Sequence, residues 1–113
     1  MRLLLVLLAG FVSMSANAVN MNFVGSGVST IKVLHSYSEY GGGDVYFTLA
    51  EPETTACPNG YWLRKTDPGF EANLSMAIAA YHAKSSIEAY GLADELWSGS
   101  EGKYCRLYAI SYR

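Results

Sequence analysis

Asp67-Pro68-Gly69-Phe70-Glu71-Ala72-Asn73-Leu74-Ser75-Met76-Ala77-Ile78-Ala79-Ala80-Tyr81-His82-Ala83-Lys84 is the stretch that decides the fold. Phe70, Leu74, Ala77, Ile78 and Tyr81 recur at i, i+4, i+7, i+8 and i+11, one apolar stripe of a helix with its ~3.6-residue period. Asp67 is a suitable N-cap acceptor, and its charge suits the positive end of the helix. Pro68 fits the first turn, where its missing N–H costs nothing. Lys84 falls near the negative end. Met76, Ala79, Ala80 and Ala83 form a second, small and flexible set outside the main stripe, as a helix packed on two sides requires. Alanine's high helix propensity explains the same pattern without a second contact.

No other segment has a comparable helical period, and the rest of the chain reads as strands. Residues 19–27 mix residue types around Gly25 and Gly27 and read as a mobile lead-in. Val28 to Tyr37 is the first strand, with Ile31, Val33 and His35 on one face. Ser38 to Asp44 is a turn. Val45 to Ala50 alternates most clearly, with Val45, Phe47 and Leu49 facing one way and Tyr46 and Thr48 the other. Glu51 to Gly60 holds Pro52, Pro58, Asn59 and Gly60 and reads as loop. Tyr61 to Lys65 is a third strand, Ile87 to Leu92 a fourth, and Tyr104 to Tyr112 a fifth, with Ala93 to Lys103 as a long loop before it. In the fifth strand strict alternation exposes Tyr108, Ile110 and Tyr112 together, whereas a bulge after Leu107 turns Ile110 inward. The order β-β-β-α-β-β is that of a five-stranded OB-fold barrel plugged by its helix. A helix on one face of an open five-stranded sheet fits the same string.

Composition bounds the function. Met1-Arg2, the apolar run Leu3 to Val12 and the small-x-small triplet Ala16-Asn17-Ala18 read as a secretory leader cleaved before Val19. The run is too short to span a bilayer, and no later segment approaches the ~20 apolar residues that a span needs. Losing Arg2 with the leader takes the formal charge from −2 to about −3, which argues against nucleic acid as a partner. Cys57 and Cys105 are the only cysteines, and in an oxidising compartment such a pair forms a disulfide. Closing a loop of about 48 residues would contribute roughly 4 kcal/mol. Tyrosine is over-represented, nine residues of 113. Tyrosine and tryptophan serve wet interfaces and carbohydrate sites as well as small β cores.

Catalysis finds little support. His35 and His82 are the only histidines, and neither has a cysteine, histidine or carboxylate at a metal-ligand spacing. His35 lies in a strand and His82 near the helix end, where a cationic ring suits the dipole. Gly41-Gly42-Gly43 lacks the following helix and Lys-Ser/Thr of a phosphate loop. Asp94 and Glu95 are adjacent and do not form a glycosidase pair. Asn73-Leu74-Ser75 matches a glycosylation sequon inside the helix. No cofactor is expected.

Ala56-Cys57, Trp62, Leu74, Ala77 and the strand beginning at Ile87 resemble the B subunits of subtilase-cytotoxin-type AB5 toxins. The resemblance implies an exported OB-fold lectin without catalytic activity. It further implies a homopentameric ring, helices lining its pore, and a docked exported A subunit. Ser26-Gly27-Val28 is similar to the segment opening the first strand in that family, where the serine hydroxyl contacts sialic acid. Asn22 stands where the family has an acidic residue. The candidate ligand residues are Ser26, Asn22, Tyr37 and Tyr46, with a glycan, sialylated as the resemblance implies, or a host surface as partner. The alternative is a monomeric periplasmic inhibitor or protein-binding module that uses the Glu51–Gly60 or Ala93–Lys103 loop. A small hydrolase dependent on His35 is the third reading.

Overall fold

The computed structural model describes residues 22–51 and 56–113. The leader, its cleavage point and Pro52 lie outside the described residues. The fold is mainly β with one helix: β1 Phe23–Ser29, β2 Ile31–Ser36, β3 Val45–Leu49, β4 Gly60–Leu63, α1 Phe70–Ala83, β5 Ile87–Leu96 and β6 Tyr104–Tyr112. The strands form one six-stranded sheet in the order β1-β5-β6-β4-β3-β2. All neighbours are antiparallel except β4 and β6, which run parallel with Tyr61 opposite Cys105.

Six strands replace the expected five because the first run divides at Thr30. Residues 23–27, expected as a lead-in, belong to β1 and pair with β5, while Ile31–Ser36 pairs with β3. A bulge hides this strand from a period-two reading. Gly25 sits opposite Tyr90 and Val28 opposite Glu88, so Ser26 and Gly27 together face Ala89. Gly27 takes a left-handed φ of 74°, and Ser26 Oγ accepts the Ala89 N–H at 2.9 Å while donating to the Gly27 carbonyl at 2.6 Å. β5 likewise runs four residues beyond the expected Leu92.

The alternation in β3 holds: Val45, Phe47 and Leu49 are buried with Tyr61, Leu63, Ile87, Ala89 and Leu107. A register shift sets Tyr90 opposite Ala109 and Gly91 opposite Leu107, leaving Tyr108 as the extra residue. Leu107 and Ile110 therefore both point inward, and Tyr108 and Tyr112 remain exposed. The bulged alternative is the one the chain adopts.

The helix forms where expected but presents a different face. Ala77 and Ala80 are fully buried, and Phe70, Leu74 and Met76 pack at their margin. Ile78 and Tyr81, expected in the stripe, are exposed. At ~100° per residue this turns the buried face by roughly 50° toward the alanines, whose size lets the helix approach the sheet closely. Asp67 is not the side-chain cap. The N-cap is Gly69, with no side-chain hydrogen bond. The Asp67 carboxylate instead accepts Arg64 Nε at 2.9 Å and Arg106 at 2.8 Å. Two guanidiniums outcompete backbone N–H groups for one carboxylate. Only the Asp67 carbonyl serves the helix, accepting the Phe70 N–H at 3.0 Å. Lys84 ends the helix in a left-handed conformation with φ 52°.

Cys57 and Cys105 are joined in a disulfide with their Cα atoms 5.5 Å apart. Beside it Asn59 and Lys103 exchange two hydrogen bonds, Asn59 N–H to the Lys103 carbonyl and Lys103 N–H to Asn59 Oδ1 at 2.9 Å. The loop before β4 is thus tied to the start of β6.

Tyr61 carries a cost inside this core. Its hydroxyl is buried with no hydrogen-bond partner of good geometry among the described residues. Burial pushes its phenol up to about 12, and the Ser26 hydroxyl, already committed to Gly27 and Ala89, offsets only part of that effect. The neutral phenol is the folded form. The contribution of this phenol to stability is therefore fully present below pH 10 and is lost between pH 10 and about 12, as the unfolded chain ionises first. The loss is on the order of 2 kcal/mol. Tyr61→Phe is expected to remove this alkaline loss and to leave neutral-pH stability unchanged or slightly higher. Urea midpoints at pH 7 and pH 11 measure both. A Phe variant losing stability in parallel with the parent above pH 10 contradicts the assignment.

Candidate functional site

Six rings converge at one end of the sheet. His35 lies on the outer face of β2, Tyr37 just beyond it, and Tyr40 on a short 3-10 turn, Tyr40–Gly42. Tyr46 comes from β3, Trp97 follows β5, and Tyr104 opens β6. His35 and Tyr46 are cross-strand neighbours whose rings stack at 5.1 Å and 16°. Trp97 stands among four tyrosines. Its centroid is 5.7 Å from Tyr37, 5.7 Å from Tyr40, 5.4 Å from Tyr46 and 5.6 Å from Tyr104. The Tyr40 and Tyr104 contacts are edge-to-face, the arrangement a ring quadrupole prefers.

Hydrogen bonds fix the cluster. Trp97 Nε1–H donates to Asp44 Oδ2 at 2.9 Å, and the Trp97 N–H to the Tyr104 carbonyl at 3.0 Å. Tyr37 N–H donates to the Asp44 carbonyl at 2.9 Å, closing the loop between β2 and β3. Tyr40 and Ser98 share a hydroxyl hydrogen bond of 3.0 Å, joining that loop to the one between β5 and β6. Gly99 has a specific reason to be glycine: a β-carbon there would fall on the Trp97 indole. Burial, then the neighbouring phenols of Tyr37 and Tyr104, push the Tyr46 phenol above its ordinary value.

Trp97 is 4% exposed and forms the floor, while Tyr40 and His35 face solvent and Tyr37, Tyr46 and Tyr104 are half-buried. Such an arrangement offers rigid apolar faces edged by hydroxyls. The His35 ring stacks on Tyr46 and lies tilted against Tyr37. Among the described residues no group of three metal-ligating side chains converges.

Two of the four residues expected to bind ligand, Tyr37 and Tyr46, belong to this cluster. Ser26 and Asn22 do not. Asn22 is exposed immediately before β1. Ser26 is fully buried, and its hydroxyl completes the β1 bulge, so it meets no ligand in this conformation. Ser26→Ala is expected to destabilise the domain by about 1–3 kcal/mol, because the buried Ala89 N–H loses its acceptor. Thermal unfolding measures this; an unchanged midpoint contradicts the structural role. His35, Tyr40, Trp97 and Tyr104 carry no spacing signal that unites them. The available hint was that one flanking loop carries Tyr37 and Tyr40 and the other Trp97.

A second, smaller aromatic group lies on the outer face of β1, β5 and β6. Phe23 stacks on Tyr108 at 4.9 Å and meets Tyr90 edge-on. The Tyr90 hydroxyl and Arg113 both donate to Glu88 and hold its carboxyl below the usual range.

Comparison with family models, curated proteins and solved structures returned no match. The functional reading therefore rests on the site itself.

Proposed function

We propose that the chain is an exported, non-catalytic binding domain that closes as an OB-type barrel and binds a glycan on its aromatic end. Support for the barrel comes from connectivity. β1 and β2 occupy opposite edges of the sheet order, yet Thr30 alone separates them. Counted as one bent strand across the seam, they give five strands, with the helix between the third and fourth and the third parallel to the fifth. In such barrels the second and third strands, with the loops between strands one and two and between four and five, form the ligand face. Here those loops are residues 37–44 and 97–103, and they carry Tyr37, Tyr40 and Trp97.

The observation that carries the reading is the convergence of six rings on that end, with Tyr40 and His35 open to solvent. Aromatic faces stack on the apolar side of a sugar ring, and the edging hydroxyls orient it. The disulfide, and the lack among the described residues of a helix long and apolar enough to cross a membrane, are compatible with a secreted or periplasmic location.

Self-association is part of the proposal. Exposed Ile78 and Tyr81 border a cleft of about 300 Å³ between α1 and β2–β3, lined also by Leu34, Val45 and Leu74. A homopentamer would cover this surface, and an exported A subunit would dock on the ring. Light scattering on the oxidised protein tests the ring: one chain per particle at micromolar concentration removes the pentamer and favours the monomeric periplasmic binding module. An array of immobilised glycans tests the site. Binding lost in Tyr40→Ala and His35→Ala together supports it, and binding unaffected by both overturns it.

A further inference from the structure

We infer that Asp44 is the polar anchor of the aromatic site and that it makes the site select a neutral glycan over an acidic one. The inference rests on the glycan reading above and adds the charge class of the ligand. Asp44 is 4% exposed. Its Oδ2 accepts the Trp97 indole N–H, but its Oδ1 is enclosed and has no hydrogen-bond partner among the described residues. Nor does any cation among the described residues pair with it. Lys65 packs along Gly43 without reaching the carboxylate.

A buried carboxylate served by one neutral donor is costly. A group that supplies a second donor recovers part of that cost when it binds. The vacant acceptor thus asks for a hydroxyl, and the uncompensated charge opposes a second anion in the same low-dielectric surroundings. Aromatic stacking alone does not discriminate between neutral and acidic sugars. Asp44 supplies the discrimination.

Gly41 packs directly on the Asp44 carboxylate. A β-carbon at Gly41 would fall on the Asp44 carboxylate, so only a bare α-carbon fits there, and nothing lies within 4 Å of the β-position of Gly42. Gly41, Gly42 and Gly43 all take positive φ, at 63°, 81° and 111°. Three consecutive residues without side chains can shift at little steric cost, and their displacement opens a path for a ligand hydroxyl to Oδ1. The open ring of Tyr40 stands beside that path and would hold the sugar face.

The test uses the full oxidised protein with neutral and sialylated glycans that differ only in the terminal acidic sugar. Wild type is expected to prefer the neutral member. In NMR titration with it, the Trp97 Nε1–H resonance should move more than that of Trp62, because Trp97 shares the anchoring carboxylate. Asp44→Asn keeps an acceptor for Trp97 and removes the charge. It should weaken the neutral glycan about ten- to a hundredfold, the loss expected for a hydrogen bond to a charged acceptor, and shift the neutral-to-sialylated ratio toward the acidic member. Near-UV circular dichroism reports whether the variant keeps its Trp97 environment, and the wild-type titration decides independently of that variant. Preference for the sialylated member, with shifts at Trp97 and Tyr46, overturns the anchor and leaves the aromatic site standing. An unchanged ratio in a folded Asp44→Asn also overturns the anchor. Binding of neither member overturns both readings.

Discussion

Replacing Cys57 and Cys105 together by alanine is expected to lower stability by about 4 kcal/mol, a large share of what a domain of this size has. The bridge closes a separation of 48 residues, spanning β4, α1 and β5, so its removal returns most of the domain's loop entropy to the unfolded chain. A domain of this size typically has roughly 5–15 kcal/mol in all, and the unfolding midpoint should fall by roughly 20 °C. Both cysteines are buried, at 1% and 0% exposure, so alanine adds the loss of two packed sulfur atoms to that of the cross-link. Reductant acting on the wild-type protein should lower the midpoint by somewhat less, and slowly, because attack on a buried bridge requires opening. Calorimetry of the variant and of reduced wild type makes the comparison; equal midpoints for oxidised and bridge-free protein would contradict it. The effect should reach the site too. β4 has only four residues and pairs in parallel with β6 beside the bridge, with Tyr61 opposite Cys105. Tyr104, whose ring meets Tyr46 and Trp97, precedes the bridged cysteine.

What was legible in the sequence depended on whether a side-chain period survived in the structure. In β3 it did, and Val45, Phe47 and Leu49 were readable as core. The helix was readable as an element, yet its orientation was not. Hydropathy favours Ile78 and Tyr81, whereas close approach to a sheet favours Ala77 and Ala80, and close approach prevailed. Around Ser26 the period is broken by a bulge whose stabilising bond comes from a side chain, so β1 looked like loop. The bulge at Tyr108 was foreseeable as an alternative because Leu107 and Ile110 are both apolar and only a bulge buries both. Asp67 stood at a capping position but was claimed by Arg106, distant in sequence. The aromatic site is illegible for a related reason: His35, Tyr46, Trp97 and Tyr104 meet only because of strand order, which no local pattern encodes. Ser26, suggested by resemblance, is consumed by backbone geometry.

Trp97→Ala should be the most damaging substitution at the site, with an expected loss of about 3–5 kcal/mol. The indole is nearly buried, packs against Tyr37, Tyr40, Tyr46 and Tyr104, and gives Asp44 its one side-chain hydrogen bond. Removal leaves both a cavity and a buried carboxylate with no side-chain donor among the described residues, two costs that add. Trp62 provides the comparison, because it is only half-buried and its indole N–H donates to the Glu95 carbonyl at an exposed position. Trp62→Ala should cost much less. Trp97→Phe separates the two contributions, since it keeps an aromatic ring among the tyrosines and removes only the N–H. If packing dominates, Phe recovers most of the stability lost in Ala. If the Asp44 bond dominates, Phe remains nearly as unstable, and Trp97→Phe combined with Asp44→Asn recovers part of the loss because an uncharged amide is less costly to bury. Urea unfolding of these variants decides between the two. Midpoints for Trp97→Ala and Trp62→Ala that coincide would show that Trp97 is not the centre around which the two loops are packed.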